Sequence, residues 1–201
     1  MSGFLHQQGA HTLGVDFSQR MVDEARRNFP HLRFIRANVL TAELGEQFDV
    51  ICGTAILHEI DHRDTPRLLD FFERHLAPDG FGWFHENSFF NPVFRFVRQR
   101  LIGRYGIPKY GSTEESPFDP ERFRMYQKRF RFCERSAEVF VLFQRIHLYL
   151  IRTGSDKPYQ RLDQWITRLG VPDILKRNVS YIQHIYFSRS VPKSRVLSEP
   201  Q

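Results

Sequence analysis

Asp16 closes the short apolar run 12–15, and Ser18, two residues on, opens a helix-like pattern. A carboxylate at the carboxyl end of a strand can accept hydrogen bonds from both hydroxyls of a ribose. The same acid can equally serve the amino terminus of the helix that follows. A ribose-holding acid is ordinarily preceded, about 20 residues upstream, by a Gly-rich strand-to-helix turn that admits the rest of the ligand. Here only fifteen residues precede Asp16, and they contain no GxGxG. Gly3 is isolated, with no strand before it. The remaining chemistry-bearing residues are scattered. The run HEIDH places His58, Glu59 and His62 at i, i+1 and i+4, but it is read as something other than a zinc-protease helix, and no metal is expected. Cys52 and Cys133 lie far apart, outside any CxxC spacing, and are expected to be reduced thiols of a cytoplasmic protein.

The elements that must position these residues follow from periodicity. Residues 2–9 read as a helix stopped by Gly9. Residues 11–17 read as a buried strand, and 18–29 as a helix capped by Ser18, with Met21, Ala25 and Phe29 four apart on one face. Strands are expected at 32–37, 48–54 and 81–88, and a helix at 64–76 with Asp64 as its cap, followed by a turn at 77–80. Strands separated by helices predict a parallel sheet covered on both faces. The second half changes character. Helices are expected over 91–106, with Phe94, Val97 and Leu101 apolar and Arg95, Arg98 and Arg104 around them, and over 119–130, where Asp119 caps and Pro120 starts the helix. A strand running on from 131 to 143, helices at 159–169 and 172–178, and a last strand over 180–190 complete the chain, with a loose tail after Ser190.

The chain has 201 residues, 41% of them apolar and 14% aromatic, enough for a packed core. No apolar run reaches the length of a spanning helix, and the start carries no export signal. The net charge of +6 conceals an asymmetry: residues 1–90 hold 8 Lys/Arg and 13 Asp/Glu, residues 91–201 hold 21 and 10. A basic second half suits an anionic partner, or forms an Arg-rich solvated face.

The succession GVDFSQRMVDEARRN, RFIRANVL, FDVICGTAILHEIDH and LLDFFERHLAPDGFGWFHENS resembles the class I S-adenosylmethionine-dependent methyltransferases, over roughly residues 5–90. The resemblance implies an α/β, Rossmann-like fold. Its sheet would be mostly parallel with an antiparallel last strand, and a helical, aromatic cap would be inserted in the second half. It implies S-adenosyl-L-methionine as cofactor, with Asp16 on the ribose and Phe17 beside the adenine. Asn38 and Val39 stand where an acid and an apolar residue usually meet that ring; Asn38 keeps an acceptor oxygen but lacks the charge. Gly53 and Thr54 would line the methionine end. His58, Glu59 and Glu86 would face the acceptor, His58 as a base for a hydroxyl or amine, or as a residue with a structural hydrogen bond. Methyl transfer needs alignment and exclusion of water more than a protein nucleophile.

The family's first strand and Gly-rich turn would lie before the helix at 2–9. The expectation is therefore a shortened methyltransferase with the first strand absent, in which the strands at 12–15 and 49–54 lose a shared neighbour and cofactor binding is impaired. The alternatives are a non-catalytic remnant that binds an anionic or membrane-surface partner, and a dinucleotide-dependent oxidoreductase. Residues 1–88 are expected to form the partial cofactor-binding half, 89–190 the acceptor cap with the closing strands, and 191–201 a tail. Phe94, Phe96, Tyr105, Tyr110, Phe140, Phe143, Tyr149, Tyr159 and Trp165 suit a small or lipid-linked acceptor bearing a phosphate or carboxylate. The stretch 90–104 could lie peripherally on anionic lipid or cover the sheet. No nucleic acid is expected.

Overall fold

The structure is a computed structural model that describes residues 1–101, 118–137, 140–151 and 154–190. The expected tail after Ser190, together with Arg104, Tyr105 and Tyr110 and the side chains of Arg98 and Tyr149, lies outside the described residues. The chain divides into two compact units, Met1–Glu46 and Gln47–Gln201.

In the first unit, helix α1 (Ser2–Gln7) precedes strand β1 (Leu13–Asp16), helix α2 (Gln19–Asn28) and strand β2 (Arg33–Arg36). β1 and β2 pair in parallel, with Asp16 opposite Arg36. Ser18 caps α2 as expected, its Oγ accepting from the Met21 amide at 3.4 Å. The buried face of α2 is not the expected one: Val22 is its buried residue, while Met21 and Phe29 are exposed. Phe29 instead lies against Gly3, where an added Cβ would sit 2.6 Å from the ring.

The second unit holds a four-stranded sheet in the order β3 (Phe48–Thr54), β4 (Leu76–Asn87), β6 (Ile182–Ser188), β5 (Phe132–Ser136). β3 and β4 are parallel and β6 runs antiparallel to both its neighbours. Among the described residues, each of β1 and β3 pairs along one side only. β4 starts at Leu76, so residues 77–80 belong to a strand with a register shift opposite Phe48 and Val50 rather than to a free turn. β3 and β4 are bridged by two 3-10 turns and helix α3 (Thr65–His75), which buries Leu68, Leu69, Phe71 and Phe72. Asp64 does not cap α3 with its side chain; it pairs with Arg67 at 3.0 Å.

Helix α4 (Pro92–Arg100) follows β4, and helix α5 (Pro120–Arg129) precedes β5. Asp119 caps α5 through the Arg122 amide at 2.8 Å. The strand expected to run to 143 stops at Ser136. Residues 143–146 form the short helix α6, continued by a π-helical turn at 147–151. Asp163, on helix α7 (Lys157–Arg168), explains the change. It is buried, and its carboxylate accepts from the Leu142, Phe143 and Gln144 amides at 3.1, 2.9 and 2.9 Å, satisfying the orphan donors of a helix start. Helix α8 (Asp173–Val179) leads into β6.

β6 alternates as its sequence implies. Gln183, Ile185 and Phe187 are fully buried, and Ile182, His184 and Tyr186 are half-buried. Phe187 is the centre of an aromatic core, with ring centroids 4.5 Å from Phe130, 5.0 Å from Phe72 and 5.1 Å from Tyr126. Gly82 on β4 makes that possible: a Cβ there would stand 2.2 Å from the Phe187 ring.

Candidate active site

The carboxyl end of β3 carries the first group of candidates. Thr54 is followed by Ala55 at φ 57°, a left-handed conformation rare outside glycine. Its amide donates to the His85 carbonyl at 2.8 Å. The chain then folds into a 3-10 turn, Leu57–Glu59, and extends again at Ile60.

This segment is held from two sides by opposite charges. Glu86, on β4, is 1% exposed; its Oε1 accepts from the Ile56 and Leu57 amides, each at 2.7 Å. Its Oε2 lies 2.8 Å from His58 Nδ1. On the other side Arg122, from α5 and also 1% exposed, donates to the carbonyls of Leu57 at 2.6 Å and Ile60 at 2.8 Å. Burial pulls the Arg122 guanidinium below its ordinary value, while Tyr126, Asp119, Glu86 and Asp61 act in the opposite sense. A carboxylate thus takes the turn's N–H groups and a guanidinium its C=O groups, matching donors to acceptors in a buried place where unmatched groups are costly.

The same geometry orients the His58 ring. Facing a carboxylate, Nδ1 carries the proton, which leaves Nε2 as the ring's acceptor in the neutral form. Nε2 lies 3.3 Å from a Glu59 carboxylate oxygen on a half-exposed side chain. Of the three residues the resemblance placed toward the acceptor, Glu86 is fully enclosed, with both carboxylate oxygens engaged. Arg122 escaped the sequence reading, since a basic residue on an amphipathic helix gives no sign of being buried.

Gly53 has a local explanation. A Cβ there would meet the Phe84 ring at 3.0 Å, so glycine lets that ring pack closely on the strand. His62, next in the HEIDH run, points elsewhere. The run does carry the His-Glu-x-x-His order of a zinc-protease helix, contrary to its sequence reading, but that order acts only when one α-helix brings both imidazoles to a single face. Here the backbone is extended at Ile60 and leaves the helical region at Asp61. His62 approaches Glu121 at 4.0 Å, with Asp119 nearby, while Asp119 Oδ1 is engaged in capping α5.

The second group lies in the first unit, on the common rim of β1 and β2. Asp16 Oδ1 accepts from the Ser18 amide at 2.8 Å, so one oxygen serves the helix start. Phe17 is 68% exposed, with the Arg36 guanidinium 5.9 Å from its ring centroid and Arg36 Nε donating to the Phe17 carbonyl. Asn38 turns its side chain inward: Oδ1 accepts from the Leu40 amide at 2.9 Å, an Asx turn that engages the oxygen expected for an adenine amino group. Val39 is half-buried. Asp16 and Phe17 together offer what a nucleoside requires, an exposed carboxylate and a bare aromatic face. The exposed carboxylate and aromatic ring of this rim fit the nucleoside end of S-adenosylmethionine.

Residues 1–80 match the family model of a methyltransferase domain. No curated protein matches the chain by sequence. Among solved structures, a TehB-like SAM-dependent methyltransferase from Corynebacterium glutamicum is 15% identical, with a TM-score of 0.54 over 94% of this chain and 73% of that one. A SAM-dependent methyltransferase from Archaeoglobus fulgidus is 12% identical, with a TM-score of 0.56 over 92% and 79%. An S-adenosylmethionine-dependent methyltransferase from Clostridium acetobutylicum gives 14%, 0.55, 90% and 76%. The chain has the Rossmann-like α/β fold of these enzymes.

Proposed function

We propose that the chain transfers a methyl group from S-adenosylmethionine to a small or lipid-linked acceptor bearing a hydroxyl or amine, and that its cofactor binding is weak. The observation that carries the reading is the buried Glu86 carboxylate fixing both the 56–60 turn and the His58 ring. Asp16 holds the ribose through the carboxylate oxygen that does not cap α2, and the Phe17 face packs on the adenine. Val39 packs beside the ring. Asn38 Oδ1, which accepts from the Leu40 amide, keeps a second lone pair for the adenine amino group, and Gly53 and Thr54 contribute backbone at the methionine end.

When bound, the sulfonium of the cofactor supplies an electrophilic methyl carbon. His58 Nε2 accepts the acceptor's proton as the new bond forms, and Glu86 keeps the ring in the tautomer that can do so. Glu59, half-exposed beside Nε2, passes that proton to water. The clamp by Arg122 holds the turn while this happens. Residues 89–190 supply the acceptor cap.

The test is label transfer from methyl-tritiated S-adenosylmethionine to a panel of phenols and amines. The expected result is product with the intact chain, none with Asp16→Ala, and a fall of about 10²–10⁴ with His58→Ala. Equal rates with and without the imidazole would remove His58 from the chemistry.

A second reading concerns location. α4 exposes Val93 at 67% and Phe96 at 59%, beside the exposed Arg95 and Arg100. Apolar residues flanked by arginines suit the surface of an anionic membrane. Among the described residues, no helix is long and apolar enough to cross a membrane. Sedimentation with anionic vesicles at low salt, lost on Phe96→Asp, tests this contact.

A further inference from the structure

Three arginines of the basic half, Arg131, Arg135 and Arg177, come together where α5, β5 and α8 meet. A cavity of about 550 Å³ lies there, within the range of small-ligand sites. Arg131, Arg135 and Arg177 line it against a single carboxylate, Glu134, which approaches Arg177 at 3.9 Å. The lining therefore carries a net charge of +2.

Arg135 is a fixed charge. It donates to the Arg177 carbonyl, to Asn178 Oδ1 at 2.6 Å and to Gln183 Oε1 at 3.0 Å, and its guanidinium rests 3.5 Å from the Phe90 ring centroid. Burial and the neighbouring Arg177 pull its pKa down to about 10. The two like charges thus disfavour one another, and an anion beside them relieves that repulsion. Phe123 and Ile174, the latter 65% exposed, add apolar surface to this otherwise polar lining.

The cavity lies at the β5 edge of the sheet, three strands from β3. Arg135 is in register with Ile185, Ile185 with Phe84, and Phe84 with Gly53. Three strand spacings of about 4.8 Å separate β5 from β3, roughly 14 Å. An occupant here is a second ligand, and its binding does not depend on the methyl-transfer reading.

We propose that this cavity binds a small organic phosphate with an apolar body, the phosphate meeting Arg131 and Arg177 beside the fixed charge of Arg135, and the body packing on Phe123 and Ile174. Bidentate guanidinium contacts suit the phosphate, and the apolar surface distinguishes an organic ester from the inorganic ion.

The experiment is calorimetric titration of the full chain with phenyl phosphate, inorganic phosphate and phenol at low salt. Phenyl phosphate should bind about tenfold or more tightly than inorganic phosphate, with no saturable signal from phenol. Arg177→Gln and Arg131→Gln should each weaken phenyl phosphate about tenfold, while Arg124→Gln, an exposed position on α5, should leave it unchanged. Ile174→Asp, at an exposed site tolerant of polar residues, should abolish binding and serves if an arginine variant fails to fold. Pelleting with phosphatidic acid vesicles that phenyl phosphate reverses would identify a lipid headgroup as the source. Binding of phenyl phosphate without pelleting would identify a free phosphate ester. The proposal is overturned if folded Arg177→Gln and Ile174→Asp bind like the parent, or if Arg124→Gln loses as much as Arg177→Gln.

Discussion

Replacing Glu86 with glutamine removes one charge and one acceptor from a carboxylate that serves three donors. Two are the Ile56 and Leu57 amides, at 2.7 Å, and the third is His58 Nδ1, at 2.8 Å. Hydrogen bonds to a charged acceptor contribute about 1.5–3 kcal/mol each, against about 0.5–1.5 for neutral pairs. In Glu86→Gln the side-chain amide oxygen can keep both backbone donors, each weakened by about 1 kcal/mol. Its NH2 then faces Nδ1, a donor against a donor, unless the imidazole moves its proton to Nε2. Arg122, buried across the turn, loses an attractive charge as well. The sum is a loss of roughly 2–4 kcal/mol, a large share of the stability of a typical domain. Urea unfolding measures this loss. ¹⁵N NMR of the imidazole reads the tautomer, with Nδ1–H expected in the parent and Nε2–H in Glu86→Gln. A stability change under about 0.5 kcal/mol with the same tautomer in both proteins would refute the carboxylate's role.

Three further outcomes follow from packing and burial. Burial pushes the Cys133 thiol up to about 12, so the folded chain keeps a proton that the unfolded chain loses near the ordinary thiol value. That contribution to stability is complete below the ordinary value and is lost as pH rises toward 12. With a disulfide reagent at a pH of about 8.5, Cys133 should react over about a hundredfold more slowly in the native chain than in urea, which stopped-flow absorbance can follow. Gly82→Ala should lower the melting temperature, because a Cβ 2.2 Å from the Phe187 ring forces the core apart, at about 1–3 kcal/mol or more. Asp163→Ala should cost about 3–5 kcal/mol in urea unfolding by leaving the Leu142, Phe143 and Gln144 amides without their acceptor, with Asp163→Asn recovering part of it.

Much of the fold was legible because period and punctuation agree. The alternation of 182–188, the Ser18 and Asp119 caps and the Pro120 start are local signals, and the structure contains each of them. What failed depended on distant partners. The apolar residues 140–143 look like the continuation of a strand, but an acid twenty residues later takes the Leu142, Phe143 and Gln144 amides and starts a helix. Met21 and Phe29 fit the helical spacing, yet Val22 faces the interior, since a neighbouring strand chooses the face. At the candidate site, the strand-tip acid and the imidazole could be read from the sequence. The burial of Glu86 and the clamp by Arg122 could not, because both require strands and helices 30 to 65 residues apart to meet. The zinc-type spacing of 58–62 shows the converse: a sequence order without the helix that gives it meaning.

The central claim, that the Asp16 rim holds the nucleoside of S-adenosylmethionine, is tested most directly by calorimetric titration with S-adenosylhomocysteine. The account predicts weak saturable binding, with a Kd on the order of 0.1–1 mM, and its loss in Asp16→Ala with the fold intact by circular dichroism. Identical titrations of the two proteins, or no saturable heat up to several times that concentration, would contradict it.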